Sequence, residues 1–329
     1  MMRLSKFEYV EPRSLSEATS FLKEWGWEAR VLAGGTDLLV NMKQRVLTPR
    51  YLVDLNTIPD LDYITYDDKE GLKIGPMTRV HSIHSNKMIQ EKYPAIARSA
   101  LLLAGPLHQN MATIGGNICL DCRCWYYNQS HFWRKSREAC LKLGGEVCFI
   151  AKGSKVCYAV YSGDIAPSLW VYGARLRLTG AAGDRVMPIS GFFTGLGDKE
   201  TVRGADEIVS EITVPPPAEG SRGTYLKFRQ RNSIDFPLVG VAVNLILDGK
   251  LCREARVVFN AIASAPLEAV EVEEVLRGQV IDDKLIEAVG ERAYRAAKPI
   301  SDTGGFSAVY KKKITGVLTR EAVKEALSR

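Results

Sequence analysis

The sequence of 329 residues predicts an α+β protein assembled from more than one unit. Three observations carry that expectation. Helical and strand patterns alternate near the N-terminus around a paired glycine. A run of prolines interrupts the chain near residue 215, and strand-like alternation beyond it gives way to helical spacing. Length points the same way, because single hydrophobic cores rarely grow past about 250–300 residues.

Composition sets the class. The chain is 46% hydrophobic and 25% charged, with mean hydropathy −0.09, ordinary values for a globular protein. The net charge of +6 is spread along the chain, with no Lys/Arg block of the kind that grips nucleic acid. The opening Met1–Glu8 stretch lacks the apolar core of a signal peptide, and no apolar run is long enough to span a membrane. A cytoplasmic protein with no nucleic-acid or membrane partner is expected. Thiols stay reduced there, so clustered cysteines point to metal or redox chemistry rather than disulfides.

The elements follow in order. Ser14 with Glu17 marks a helix start, and Leu15, Ala18, Phe21 and Leu22 recur at helical spacing. Residues 29–33 read as a strand entering Gly34-Gly35-Thr36-Asp37, followed by a helix over 38–44 and a strand over 51–55. A strand is expected at 71–75 and a helix over 95–103 opened by Pro94. Thr113-Ile114-Gly115-Gly116-Asn117 reads as a second glycine turn. Residues 119–158 show no period. A strand-like pattern resumes at 159–164 and again at 174–178. Pro215, Pro216 and Pro217 exclude helix and central strand, so this stretch is an extended connector. Beyond it, strands are expected at 223–231, 239–247 and 255–261, then helices at 267–276, 283–297 and 319–327.

Six of the seven cysteines crowd into the aperiodic stretch, at 119, 122, 124, 140, 148 and 157. Four thiolates suit an iron–sulfur cluster or zinc. Structural zinc usually draws on two close cysteine pairs, and only Cys119 with Cys122 offers one, which favours the cluster. Spacing alone does not separate Cys122 from Cys124 as a ligand. Trp125, Tyr126, Tyr127, Phe132, Trp133, Phe149 and Tyr158 interleave with the cysteines, either shielding a cluster or simply packing a loop of this size.

Paired glycines let main-chain N–H groups approach an anion, so the two turns are candidates to clamp one pyrophosphate, although each pair also occurs in ordinary turns. No Gly-x-Gly-x-x-Gly follows a strand, and Gly195-Leu196-Gly197 lacks the third glycine, so a standard dinucleotide fold is not expected. His81, His84, His108 and His131 form no triad or ligand pattern. Substrate chemistry is therefore not expected on this chain.

Together these residues resemble the FAD-binding medium subunit of the xanthine dehydrogenase/carbon monoxide dehydrogenase family of molybdenum hydroxylases. The resemblance runs through Phe7-Glu8-Tyr9-Val10-Glu11-Pro12, both Gly-Gly motifs, Gly163-Asp164-Ile165-Ala166-Pro167, Phe192-Phe193-Thr194-Gly195 and Tyr225-Leu226-Lys227-Phe228-Arg229-Gln230-Arg231. It implies a two-subdomain FAD-binding fold of the PCMH/CO dehydrogenase flavoprotein type, with subdomains at 1–57 and 58–214. It also implies a C-terminal α+β domain at 221–329. FAD would meet Leu32, Ala33, Gly34, Gly35, Thr36, Asp37 and Leu38 on one side and Thr113, Gly115, Gly116 and Asn117 on the other. Asp164 would face the ribityl or adenosine portion, and Lys227 would lie near the flavin.

The insert at 119–158 is similar to that of one branch, the β subunit of 4-hydroxybenzoyl-CoA reductase, through Cys119-Leu120-Asp121, Arg123-Cys124-Trp125-Tyr126-Tyr127 and Trp133-Arg134-Lys135. That similarity implies a [4Fe–4S] cluster on Cys124, Cys140, Cys148 and Cys157, leaving Cys119 and Cys122 spare. Cys252 reads as a buried small hydrophobe. The implied role is an electron-transfer subunit working with a molybdenum-cofactor subunit, a [2Fe–2S] subunit and a ferredoxin-like donor. The partner would remove the phenolic hydroxyl of 4-hydroxybenzoyl-CoA as water. The alternatives are a sister hydroxylase with another substrate, a self-sufficient flavoprotein reductase and a zinc-stabilised binding module.

Overall fold

The computed structural model describes residues 3–301 and 306–329. Three sheets follow one another along the chain. The first is parallel, in the order β1-β3-β2, from β1 (Glu8–Val10), β2 (Ala29–Leu32) and β3 (Tyr51–Asp54). Parallel neighbours need a crossover, and helix α1 (Leu15–Trp25) supplies it between β1 and β2. Its start is capped as the sequence predicts. Ser14 Oγ accepts from Glu17 N at 3.1 Å, while Glu17 Oε2 reaches back to Arg13 N at 2.8 Å. Ala18 and Leu22 are buried in one cluster with Tyr51 and Val53. The chain leaves β2 through the first glycine turn into α2 (Leu38–Lys43).

The second sheet is antiparallel, in the order β4-β5-β8-β6-β7, from β4 (Ile64–Asp67), β5 (Gly71–Ile74), β6 (Arg175–Gly180), β7 (Gly183–Pro188) and β8 (Ile208–Val214). Between β5 and β6 the chain makes a long helical excursion. It comprises α3 (Val80–Ser85), α4 (Lys87–Lys92), α5 (Pro94–Leu102), α6 (Pro106–Gln109), α7 (Ile114–Ile118), α8 (His131–Lys135) and α9 (Ile165–Val171). The second glycine motif and the cysteine insert both lie inside it.

The third sheet has the order β12-β11-β10-β9 with β13 on β11, from β9 (Ser221–Phe228), β10 (Val239–Asp248), β11 (Leu251–Asn260), β12 (Leu267–Glu268) and β13 (Gln279–Val280). Helices α10 (Val270–Leu276), α11 (Asp283–Ala296) and α12 (Ala308–Leu327) back it. Tyr225, Ala242 and Val258 of this sheet join the core of the second, so the two share apolar packing.

Four expectations need correction. The second glycine pair is not a free turn. Thr113 caps α7 and places Gly115 and Gly116 in its first turn. Residues 159–164 form no strand, and only Val160 pairs there, with Arg123, before α9 begins. The helix expected at 267–276 opens with the short strand β12 and becomes helical at Val270. The last helix starts at Ala308 rather than 319. Its inner face carries Lys311, Thr315, Gly316 and Thr319, which break the apolar period; Thr315 and Thr319 spend their hydroxyls on the carbonyls of Lys311 and Thr315.

Leu72 of β5 is fully buried in the largest core. Leu72→Ala is expected to cost about 2–5 kcal/mol, read as a lower urea midpoint with an unchanged slope.

Candidate functional site

A cavity of about 480 Å³ is lined by residues from all three sheet regions. Both glycine motifs reach it. The run 33–38 forms one wall, and Thr113, Gly115, Gly116 and Asn117 lie on another. The two motifs touch: a Cβ added at Gly34 would stand 2.1 Å from the Met111 carbonyl oxygen, just before the second motif. Gly35 has φ +70°, a left-handed conformation that glycine adopts at little cost. Arg79 holds the approach by donating to Met111 O at 2.5 Å and to Asn56 Oδ1 at 3.1 Å. Asn56 Nδ2 in turn donates to Ala33 O at 3.1 Å. In the second motif Thr113 Oγ1 accepts from Gly116 N, and Asn117 Oδ1 accepts from Ile165 N at the start of α9.

Asp164 is on the cavity wall but already committed. Its Oδ1 accepts from Tyr225 Oη at 2.9 Å and its Oδ2 from Lys227 Nζ at 2.9 Å. Lys227 is not on the cavity wall. Its side chain is fully buried and also donates to Leu102 O at 3.1 Å. Burial pushes the Asp164 carboxyl up and the Lys227 ammonium down, so desolvation outweighs their mutual attraction at both partners. This pair joins the third sheet to the cleft. Leu32, which ends β2, is likewise off the wall.

Arg123 stands at the root of the insert. Its main chain pairs both ways with Val160, at 2.9 and 2.7 Å, and its guanidinium holds Asp37. Burial raises the Asp37 carboxyl, with Arg123 pulling it back. Asn41 of α2 is fully buried on the cavity wall and donates to Asp37, yet its Oδ1 has no partner; nor has Arg123 Nε. Arg123 Nε is an unused donor that suits an anionic group such as a phosphate, and Asn41 Oδ1 is an unused acceptor that suits a hydroxyl or amine of a polar cofactor.

A second, smaller cavity lies within the insert. Cys124, Cys140, Cys148 and Cys157 all line it, whereas Cys119 and Cys122 do not. Cys122 is buried elsewhere and donates to Ser264 O at 3.4 Å. Tyr127 N donates to Cys124 Sγ at 3.4 Å. Burial pushes the Cys157 thiol up to about 12, opposed by the Ala159 amide. Among the described residues no group of three or more His, Cys, Asp or Glu side chains is arranged to hold a metal ion. Four sulfurs around one small cavity are the kind of donor set that soft metal centres take, and main-chain amides point at two of them, Cys124 and Cys157. Cys252 is buried in β11, far along the chain.

An ionic group separates the two cavities. Lys142 lines the cysteine pocket, while Asp121 and Glu200 line the large cavity. Lys142 Nζ donates to Asp121 Oδ1 at 2.8 Å, to Gly197 O at 2.6 Å and to Glu200 Oε1. Burial alone would lower the Lys142 ammonium, but the two carboxylates hold it above its ordinary value.

Residues 5–217 match the family described as the FAD binding domain in molybdopterin dehydrogenase. The chain belongs to that family. Residues 224–326 match the CO dehydrogenase flavoprotein C-terminal domain. The carbon monoxide dehydrogenase medium chain of Afipia carboxidovorans is 29% identical, covering 98% of this chain and 97% of its own. The xanthine dehydrogenase FAD-binding subunit of Escherichia coli O157:H7 is 25% identical, covering 97% and 96%. Among solved structures, the carbon monoxide dehydrogenase of Hydrogenophaga pseudoflava that lacks the Mo-pyranopterin moiety superposes with a TM-score of 0.81 at 27% identity, covering 99% of each chain. The chain is thus an oxidoreductase subunit of the molybdenum hydroxylase family, with FAD as the cofactor of its fold.

Sequence reasoning missed Asn41, Asn56, Arg79, Arg123, Lys142 and Glu200. Arg123 between two cysteines and Lys142 beside Cys140 carried a positional signal. Arg79, Asn56 and Glu200 had none, because only the fold brings them in. Among the described residues no helix is long and apolar enough to cross a membrane.

Lys227→Met leaves the Asp164 carboxylate buried without its cation and is expected to cost about 3–5 kcal/mol. Adding Asp164→Asn should recover most of that loss. Equal urea midpoints for the single and double variants would contradict the pairing.

Proposed function

We propose that this chain carries FAD and a [4Fe–4S] cluster and relays electrons within a molybdenum enzyme complex, most simply a 4-hydroxybenzoyl-CoA reductase of anaerobic aromatic degradation. The observation that carries the proposal is the cysteine pocket. The four cysteines that the branch resemblance selects line one cavity, and the two it leaves spare lie outside it.

The chain's own residues bind and orient. Gly34 and Gly35 open a path for main-chain N–H groups toward the pyrophosphate of FAD, and Thr113, Gly115, Gly116 and Asn117 meet it from the facing side. Arg123 Nε offers an unused donor to the phosphates, and Asn41 Oδ1 an unused acceptor to a hydroxyl or amine of the same ligand. Asp164, tied down by Tyr225 and Lys227, fixes the third sheet against the cleft, so Lys227 acts through Asp164 rather than at the cofactor. Cys124, Cys140, Cys148 and Cys157 would hold the cluster, with Tyr126 and Phe149 beside them on the same cavity wall. Bound FAD exchanges one or two electrons, which lets single-electron carriers serve two-electron chemistry.

The substrate is handled on partners, a molybdenum-cofactor subunit and a [2Fe–2S] subunit, with a ferredoxin-like protein as donor. The relatives' names support that division, because medium or FAD subunits of similar length serve carbon monoxide, glyceraldehyde, xanthine and nicotinate enzymes. Those names also favour a second reading, in which electrons flow outward from a hydroxylase with another substrate.

Protein purified without oxygen is expected to contain one FAD and about four irons with matching sulfide. Gly34→Ala should lose FAD while keeping iron. Cys124→Ser should lose iron, and Cys122→Ser should keep it. Flavin without iron, or zinc alone, would overturn the proposal.

A further inference from the structure

Lys142 occupies the partition between the two cavities, and the assignment above gives it no task. Its side chain is only 5% exposed, and its ammonium has three fixed acceptors: Asp121, Glu200 and the Gly197 carbonyl. The ring of Tyr127 lies 5.0 Å away, and Tyr127 Oη donates to the same Asp121 at 3.0 Å. Asp121 and Glu200 face the large cavity, where Arg30 and Arg203 also stand on the wall. One buried charged assembly therefore touches both cavities. A surface ion pair would be screened by water, but this one has little water between it and either cavity.

We propose that Lys142 is a positioning residue for electron exchange between the two cavities, its fixed charge setting how easily the centre at the cysteines is reduced relative to the flavin. The inference rests on the cofactor reading of the preceding section. A fixed cation favours the more negative, reduced form of a nearby centre, and an uncompensated carboxylate disfavours it. Lys142 is a lining residue of the cysteine pocket and not of the large cavity, which only its carboxylate partners line, so the larger effect is expected at the cysteines. The exchange balances electron for electron. One electron leaves the centre at the cysteines as one reaches the flavin, the ferredoxin-like donor restores the first, and Lys142 exchanges no proton. The same contacts orient the pocket, because Lys142 is two residues from Cys140 and its head group is fastened to segments on the far side of the partition.

The test compares intact wild-type protein, loaded with flavin and iron, with Lys142→Met, Lys142→Arg and Glu200→Gln. Flavin and iron contents are assayed, and the midpoint potential of each centre is measured by spectroelectrochemical titration. Lys142→Met should lower the reduced-to-oxidised ratio of the cluster about tenfold at a fixed applied potential, which is 59 mV for a one-electron couple. The flavin should shift less. Lys142→Arg should restore the wild-type potential, and Glu200→Gln should raise it. Where Lys142→Met fails to load, Glu200→Gln decides: a raised cluster potential supports the inference and an unchanged one overturns it. Wild-type protein without iron overturns the cofactor reading, and this inference with it. Wild-type protein with both cofactors, whose potentials match those of Lys142→Met and Glu200→Gln, overturns the inference alone.

Discussion

The two main-chain bonds between Arg123 and Val160 are the constraint on which the site depends. They close the insert at its neck, so that a long irregular loop leaves the helical excursion and returns to it at one point. Closing such a loop costs little more than closing a shorter one, because the entropy penalty grows only with the logarithm of length. What the closure fixes is the starting direction of the loop. Cys122 and Cys157, just outside and just inside the neck, belong to the largest core, and Cys124 packs against it. The Arg123 side chain reaches Asp37 at the head of α2, so one residue roots the insert and braces the first glycine turn.

Buried ion pairs recur at each joint of the cleft. Arg123 with Asp37 ties the insert to the first sheet's turn, Lys227 with Asp164 ties the third sheet to α9, and Lys142 with Asp121 and Glu200 ties the insert to the segment before β8. Such pairs add little net stability, since desolvation consumes most of the attraction. Their value lies in direction. Each charge is held in one partner arrangement, which fixes the walls of a cavity assembled from three sheet regions.

Much of this was legible in the sequence, and the legible parts share a cause. Ser14 with Glu17, Pro94 opening α5 and the triple proline before β9 are local signals that need no tertiary context. The choice of Cys124 over Cys122 came from the branch resemblance, since spacing left the two equal; in the fold Cys122 turns to Ser264 while Cys124 lines the small cavity. The failures are tertiary. The Gly115-Gly116 pair looks like the first pair, yet Thr113 caps a helix that takes it in, with Gly115 so close to Pro76 that an added Cβ would stand 2.9 Å from it. The early turns of α12 hid behind buried Lys311 and Thr315, polar residues on an inner face. Lys227 reads as a cofactor contact until Asp164 is seen to take its charge.

The most direct test of the cluster-and-flavin account is a crystal structure of protein grown without oxygen, with anomalous scattering measured on both sides of the iron edge. The account predicts iron peaks enclosed by Cys124, Cys140, Cys148 and Cys157, flavin density along the two glycine motifs, and Cys122 still on the Ser264 carbonyl. Iron bound through Cys119 and Cys122 instead, or no iron signal beside a fully occupied flavin, would contradict it.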